Sequence, residues 1–152
     1  MKRRGFILLS MAAPLALLPA CARARDPRGL VDIKWGRDTC AHCGMALSDR
    51  RFAAQAIGSR AMDHWVFDDV GCAVAWLEAR PAAQQDALQL WVAALDSRAE
   101  AMQWLDARSA HYLEGRASPM GYDFGAVAAA QPGSLTFATL RERVRASRAG
   151  PG

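Results

Sequence analysis

Hydrophobic and polar positions change rhythm several times along this chain of 152 residues, and each change marks a candidate element. From Ala61 to Phe67 the two alternate, with Met62, His64 and Val66 on one face and Trp65 and Phe67 on the other, which is the period of a strand. Residues 51–57 read as a preceding strand, and Gly58-Ser59 suits the hairpin turn between them. Asp68-Asp69 then offer an N-cap. Val70, Ala73, Val74 and Leu77 follow at i, i+3, i+4 and i+7 until Arg80-Pro81, so a helix with a defined start and stop is predicted. Leu88 to Leu95 returns to alternation, with Leu88, Leu90, Val92 and Ala94 opposite Trp91, Ala93 and Leu95. The order strand, strand, helix, strand indicates an α+β or mixed α/β unit.

The second half has weaker periodicity. Ser97 to Glu114 contains good helix formers and ends at Gly115, while Trp104, Tyr112 and Leu113 equally suit strand or irregular segments. Ser134 to Phe137 reads as a short strand, and Thr139-x-x-Glu142 matches a capping box that would open a last short helix. The halves share no sequence repeat.

The N-terminus follows another logic. Lys2, Arg3 and Arg4 precede an apolar stretch from Gly5 to Leu18 that Pro14 interrupts, then Pro19-Ala20-Cys21. That is the layout of a signal peptide over residues 1–20, too short and broken for a membrane-spanning helix of roughly 20 apolar residues. Arg3-Arg4 resembles a twin-arginine export signal, with ordinary secretory export as the alternative. Leu18-Pro19-Ala20-Cys21 resembles a lipobox, which would leave Cys21 as an acylated first residue. Residues 21–29 would then be a linker, 30–145 the folded domain and 146–152 a solvated tail.

Composition supports a packed domain, at 52% hydrophobic and 22% charged residues. The formal net charge of +4 invites nucleic acid as a partner, but three of the 19 basic residues lie in the leader, leaving 16 against 15 acidic ones. A nearly neutral domain has no electrostatic basis for binding nucleic acid.

Three cysteines remain after Cys21: Cys40, Cys43 and Cys72. Cys40-Ala41-His42-Cys43-Gly44-Met45 admits three chemistries: half of a zinc site completed by His42, His64 or Cys72, a redox dithiol, or a soft-metal site. In the last, Met45 sets a thioether beside the Cys43 thiolate, and soft sulfur donors favour Cu(I). Met45 as core filler is the plain alternative. Asp68 and Asp69 suit a helix cap and first-turn charge better than a metal carboxylate pair. Cys72, near that helix start, reads as a small buried residue, with a disulfide to Cys40 or Cys43 as the other possibility. His111 and the five tryptophans read as packing. No Ser-His-Asp order, paired buried carboxylates or phosphate loop marks an enzyme.

Cys40-x-x-Cys43-Gly44-Met45, Phe67-Asp68-Asp69-x-Gly71-Cys72, Trp104-Leu105-Asp106-Ala107 with Tyr112, and Ser118-Pro119-Met120-Gly121 together resemble the NosL family of nitrous oxide reductase accessory lipoproteins. The resemblance implies an α+β fold of two small ββαβ-like halves. It further implies a periplasm-facing membrane lipoprotein that binds Cu(I) and delivers it to nitrous oxide reductase or its maturation machinery, without catalytic turnover. By position it makes Cys43, Met45 and Met120 metal ligands, with Cys40, His42 and His64 as further candidates. A Cys-x-x-Cys thiol-disulfide oxidoreductase and a structural zinc module are the alternatives.

Overall fold

A computed structural model describes residues 26–60, 62–98 and 100–149. The expected leader and Cys21 lie outside the described residues. The first predicted run is present with shorter elements: β1 (Ala54–Ile57), β2 (His64–Phe67), α1 (Val70–Glu78) and β3 (Gln89–Ala93). β1 pairs antiparallel with both β2 and β3, in register Ala54↔Phe67 and Ala54↔Val92, and β4 (Trp104–Asp106) extends the sheet to the order β2-β1-β3-β4. A second sheet joins β5 (His111–Glu114) to β6 (Phe124–Val127). A parallel bridge between Ala94 and Ala126 links the two sheets. With three helices, this is the expected α+β mix.

Pairing places Ala54, Ala56, Trp65, Phe67, Leu90 and Val92 on one face of the four-stranded sheet, where α1 packs. Trp76 of α1 meets Trp65 and Phe67 at ring-centroid distances of 4.9 and 5.2 Å, and the alanines opposite leave room for these rings. The other face is covered by the chain around Val31. There the buried Gln55 accepts the Val31 N–H, donates to the Val31 carbonyl, and meets His64 Nε2 at 2.8 Å. Burial on both faces explains why β1 shows no alternation of its own: all four of its residues are buried. The described part of the expected linker, residues 26–29, adjoins this covering segment. Its last residues are docked, with Asp26 accepting from Gly29, Arg28 stacked over Trp91, and Gly29 facing Ile57.

A short helix that no sequence signal announced, α2 (Ala82–Ala87), follows Pro81 and buries none of its residues, so it carries no apolar stripe. Of the two readings of Ser97 to Glu114, the strand one holds: β4 carries Trp104, and β5 carries Tyr112 and Leu113. Pairing of Ala93 with Trp104 and of Tyr112 with Ala126 satisfies these backbones, which local propensity cannot anticipate. Between them, Asp106 accepts the Arg108 N–H, while the Arg108 guanidinium binds the carbonyls of Leu88 and Gln85.

The expected strand at Ser134 to Phe137 shrinks to one bridge, Tyr112↔Leu135. The last helix, α3 (Phe137–Arg148), starts earlier than the Thr139 capping box predicts, because Thr136 is the cap and accepts the Thr139 N–H at 3.3 Å. The earlier start turns Phe137, Leu140 and Val144 inward together. α3 also runs into the expected tail: Glu78 holds Arg141 and Arg145, and Arg148 reaches the Ala75 carbonyl.

Tyr112 is fully buried and its hydroxyl donates to the Ala107 carbonyl at 2.6 Å, tying the second sheet to the turn after β4. Tyr112→Phe is expected to lower unfolding free energy by about 1–2 kcal/mol, because it strands a buried acceptor. Urea denaturation checks this, with an unchanged far-UV circular dichroism spectrum as the control.

Candidate metal centre

Three chain segments converge at the junction of β2 and α1. The first is the turn carrying Cys40 and Cys43. It is closed by a Thr39↔Ala46 bridge, by the Cys40 N–H on the Met45 carbonyl at 2.8 Å, and by the Gly44 N–H on the Cys40 carbonyl at 2.9 Å. Gly44 has φ +76°, a left-handed conformation that glycine adopts without strain, which is why the motif reads Cys-x-x-Cys-Gly. The Ala41 N–H binds the Val66 carbonyl at 2.9 Å and pins the turn to the end of β2.

The second segment is the start of α1. Asp69 is its N-cap, and Cys72 is its third residue and fully buried. The third is the loop carrying Met120. Asp68 and Asp69, both buried, bind the flanking segments in opposite directions. Asp68 accepts the Ser48 N–H at 2.6 Å and its hydroxyl; Asp69 accepts the Gly71 and Met120 N–H groups at 2.8 and 3.2 Å and the Ser118 hydroxyl. The expected capping role therefore belongs to Asp69 alone, while Asp68 secures the loop behind the cysteine turn.

The result is a sulfur cluster. The Sγ atoms of Cys40, Cys43 and Cys72 lie within 4.8 Å of one another, and Met120 Sδ is 3.8 Å from Cys43 Sγ. All three cysteines are free thiols, so neither disulfide considered for Cys72 is present. Cys40 and Cys72 are buried and Cys43 is half-buried, so the cluster is closed from below and reached from the Cys43 side.

Its protonation is uneven. The Cys72 thiol donates to Cys40, and the N–H groups of Cys43, Asp68 and His42 add to this, holding the Cys40 thiol well below its ordinary range, at about 4, against the opposing effect of burial. Cys72 is pushed up by that same bond and by burial, and Cys43 is raised chiefly by burial. Negative charge in the pocket is therefore favoured on Cys40 and disfavoured on the two thiols around it.

The sequence candidates separate accordingly. Cys40, Cys43 and Met120 come together. Met45 is 57% exposed on the cysteine turn, and His42 is exposed beside it. His64 is not brought to the cluster: it pairs with Ile57 at the far end of β2, on the sheet face turned from α1, and its ring meets Gln55. Cys72, read from the sequence as packing, as a disulfide partner or as a completing zinc ligand, joins the cluster. The available signal was its place three residues after an N-capping Asp69, since the start of α1 follows directly from the end of β2 to which the cysteine turn is pinned. A thioredoxin-like site would put the Cys-x-x-Cys at a helix start, whereas here the helix start carries Cys72 and the pair lies on a turn.

Among protein-family models, the one described as NosL matches residues 33–134, about two thirds of the chain. That span includes all three thiols and Met120. No curated protein and no solved structure matches.

Gly71 shows how closely the third segment is packed. A Cβ there would fall 2.0 Å from Tyr122 Cγ, so the ring lies directly on the first turn of α1. Gly→Ala within a helix ordinarily stabilises by about 1 kcal/mol. Here Gly71→Ala is expected to destabilise by about 1–3 kcal/mol, through displacement of Tyr122. The direction of the shift in a urea midpoint decides it.

Proposed function

The chain belongs to the NosL family, and from that premise we propose that it is a Cu(I) carrier, tethered at a periplasm-facing membrane by acylated Cys21, that supplies copper for nitrous oxide reductase assembly. The observation that carries this reading is the donor set: three thiols within 4.8 Å and a thioether 3.8 Å from one of them. An all-sulfur set disfavours hard ions such as Mg²⁺ and Ca²⁺ and suits Cu(I), which accepts thioether and low coordination. A structural Zn²⁺ site takes four thiolate or imidazole ligands, and the fourth sulfur beside these thiols is an uncharged thioether.

Cys40, already a thiolate, captures the ion. Cys43 and Cys72 then bind it as thiolates, releasing their protons to solvent, and Met120 closes the open side. His42 and Met45, exposed on the same turn, offer further donors where a recipient would approach, so the ion is passed by stepwise ligand exchange and nothing is turned over. Lys2, Arg3 and Arg4 with the apolar stretch to Leu18 and the lipobox-like Leu18-Pro19-Ala20-Cys21 support export and anchoring. The recipient, nitrous oxide reductase or its maturation machinery, follows from the family.

The test is a Cu(I) titration against a competing chelator, in the full-length chain carrying Cys21→Ser so that its sulfur cannot contribute. Cys40→Ser, Cys43→Ser and Cys72→Ser are each expected to weaken binding by about 100-fold or more, at or beyond what loss of a supporting partner costs a metal site. Unchanged affinity in all three would remove the assignment. Deleting the gene in its host tests delivery, with a fall in the copper content of nitrous oxide reductase expected.

Protonation gives an independent check. With Cys40 ionised and the two other thiols protonated, loading at pH 7 is expected to release about two protons per Cu(I). Affinity should accordingly rise with pH, from about pH 6 to 8. Calorimetry in buffers of different ionisation enthalpy counts these protons.

A further inference from the structure

The two oxygens of Asp69 have separate tasks. Oδ1 accepts the Gly71 N–H at 2.8 Å and caps α1; Oδ2 accepts the Ser118 hydroxyl and, at 3.2 Å, the N–H of Met120, 51 residues away. The loop from Ser118 to Asp123 otherwise bonds largely within itself. Ser118 donates its N–H to the Asp123 carboxylate, Asp123 donates its own to the Ser118 hydroxyl, and Gly121 donates to the Ser118 carbonyl. It contains two left-handed residues, Gly121 at φ +70° and Asp123 at φ +63°. A non-glycine residue in that region persists where its surroundings over-determine it. The loop is thus a preformed turn, and its polar attachment to the helix that carries Cys72 is the Asp69 carboxylate.

We infer that Asp69 is a positioning residue for the metal: by holding the Ser118–Met120 turn on the start of α1, it sets the Met120 thioether against Cys43. The inference rests on the reading of Met120 as a copper ligand. A thioether is an uncharged, weakly binding donor on a side chain with three rotatable bonds, so its contribution depends on how firmly its backbone is placed. Asp69 binds the N–H of that very residue. The same carboxylate fixes the helix end from which Cys72 projects, so two of the sulfur donors are referenced to one buried group.

Asp69→Asn separates the two tasks. Asn caps helices as well as Asp does, and its carbonyl oxygen can still accept the Gly71 N–H. Its NH₂ replaces Oδ2 and cannot accept from Met120. The experiment is a double-mutant cycle of Asp69→Asn and Met120→Leu in the full-length Cys21→Ser chain. Cu(I) affinity is measured against a competing chelator, sulfur coordination by X-ray absorption of the loaded protein, and folding by urea denaturation. Each single variant is expected to lose about 10-fold in affinity and one sulfur neighbour, with the double variant losing no more than either, because both remove the same contact.

Wild-type affinity and sulfur count in Asp69→Asn, with Met120→Leu weakened, would overturn the positioning role and leave the copper site standing. Multiplying losses in the double variant, about 100-fold, would also overturn it, by placing the effect of Asp69 elsewhere. Unchanged binding in Met120→Leu would overturn the inference together with the ligand assignment beneath it. Should Asp69→Asn fail to fold, Ser118→Ala leaves the helix cap intact and removes two bonds, the one its hydroxyl donates to Asp69 and the one it accepts from the Asp123 N–H. It is then expected to weaken binding at least about 3-fold, on the order of one to two hydrogen bonds, and no change would overturn the proposal.

Discussion

Two adjacent buried carboxylates are the constraint around which this domain is arranged. Burying a carboxylate without partners costs several kcal/mol, so Asp68 and Asp69 are tolerable at the sheet-helix junction only where donors meet them. Those donors are main-chain N–H groups and hydroxyls from the loops on either side: Ser48 behind the cysteine turn, Gly71 at the helix start, and Ser118 and Met120 in the second half. Satisfying the pair brings the sulfur-bearing segments together, so the polar requirement of folding and the geometry of the site are one condition. Burial raises the Asp69 carboxyl while these hydrogen bonds oppose the rise, so the bonds are what keep it usable as an acceptor for both loops.

The first half of the chain was legible because its signals are local. Alternation at His64 to Phe67, the cap at Asp69, the apolar spacing to Leu77 and the stop at Arg80-Pro81 all lie within a few residues of the elements they specify. β4, β5 and the true start of α3 depend on partners elsewhere: Trp91 to Ala93, Phe124 to Val127, and the core contacts of Phe137. A window on the sequence sees the propensity of Ser97 to Glu114 but not the strand edges waiting for it. The nearness of Cys72 to the other two thiols is hidden for the same reason. Its spacing from Cys43 has no meaning until Ala41 is bound to Val66 and α1 follows two residues beyond β2.

The cluster is also not the set that motif spacing alone suggests. Cys-x-x-Cys and Cys-x-Met name donors near in sequence, and of these Met45 points to solvent and His42 is exposed. The donors that enclose the site come from three segments, with Cys72 below and Met120 beside Cys43. His64, the candidate nearest in sequence to the helix, is removed by the alternation of its own strand, which sends it to the face where Gln55 sits.

The donors differ in how they are held, and that bears on what the site can do. Cys40 and Cys72 are buried, one on a turn pinned to β2 and one on the first turn of α1. Cys43 and Met120 face the open side, Cys43 on the same turn as Cys40 and Met120 on a loop tied to Asp69. A metal held equally by four rigid donors would leave slowly, because all must yield together. A site with two enclosed thiols and two accessible sulfurs lets an incoming ligand replace the outer pair first, while the inner pair still holds the ion. Among the sulfur donors, negative charge is favoured on Cys40, in the inner pair, so under the carrier reading the strongest attraction lies at the closed end. Under the carrier reading, that asymmetry, built from where each cysteine falls relative to β2 and α1, suits both retaining a metal and giving it up.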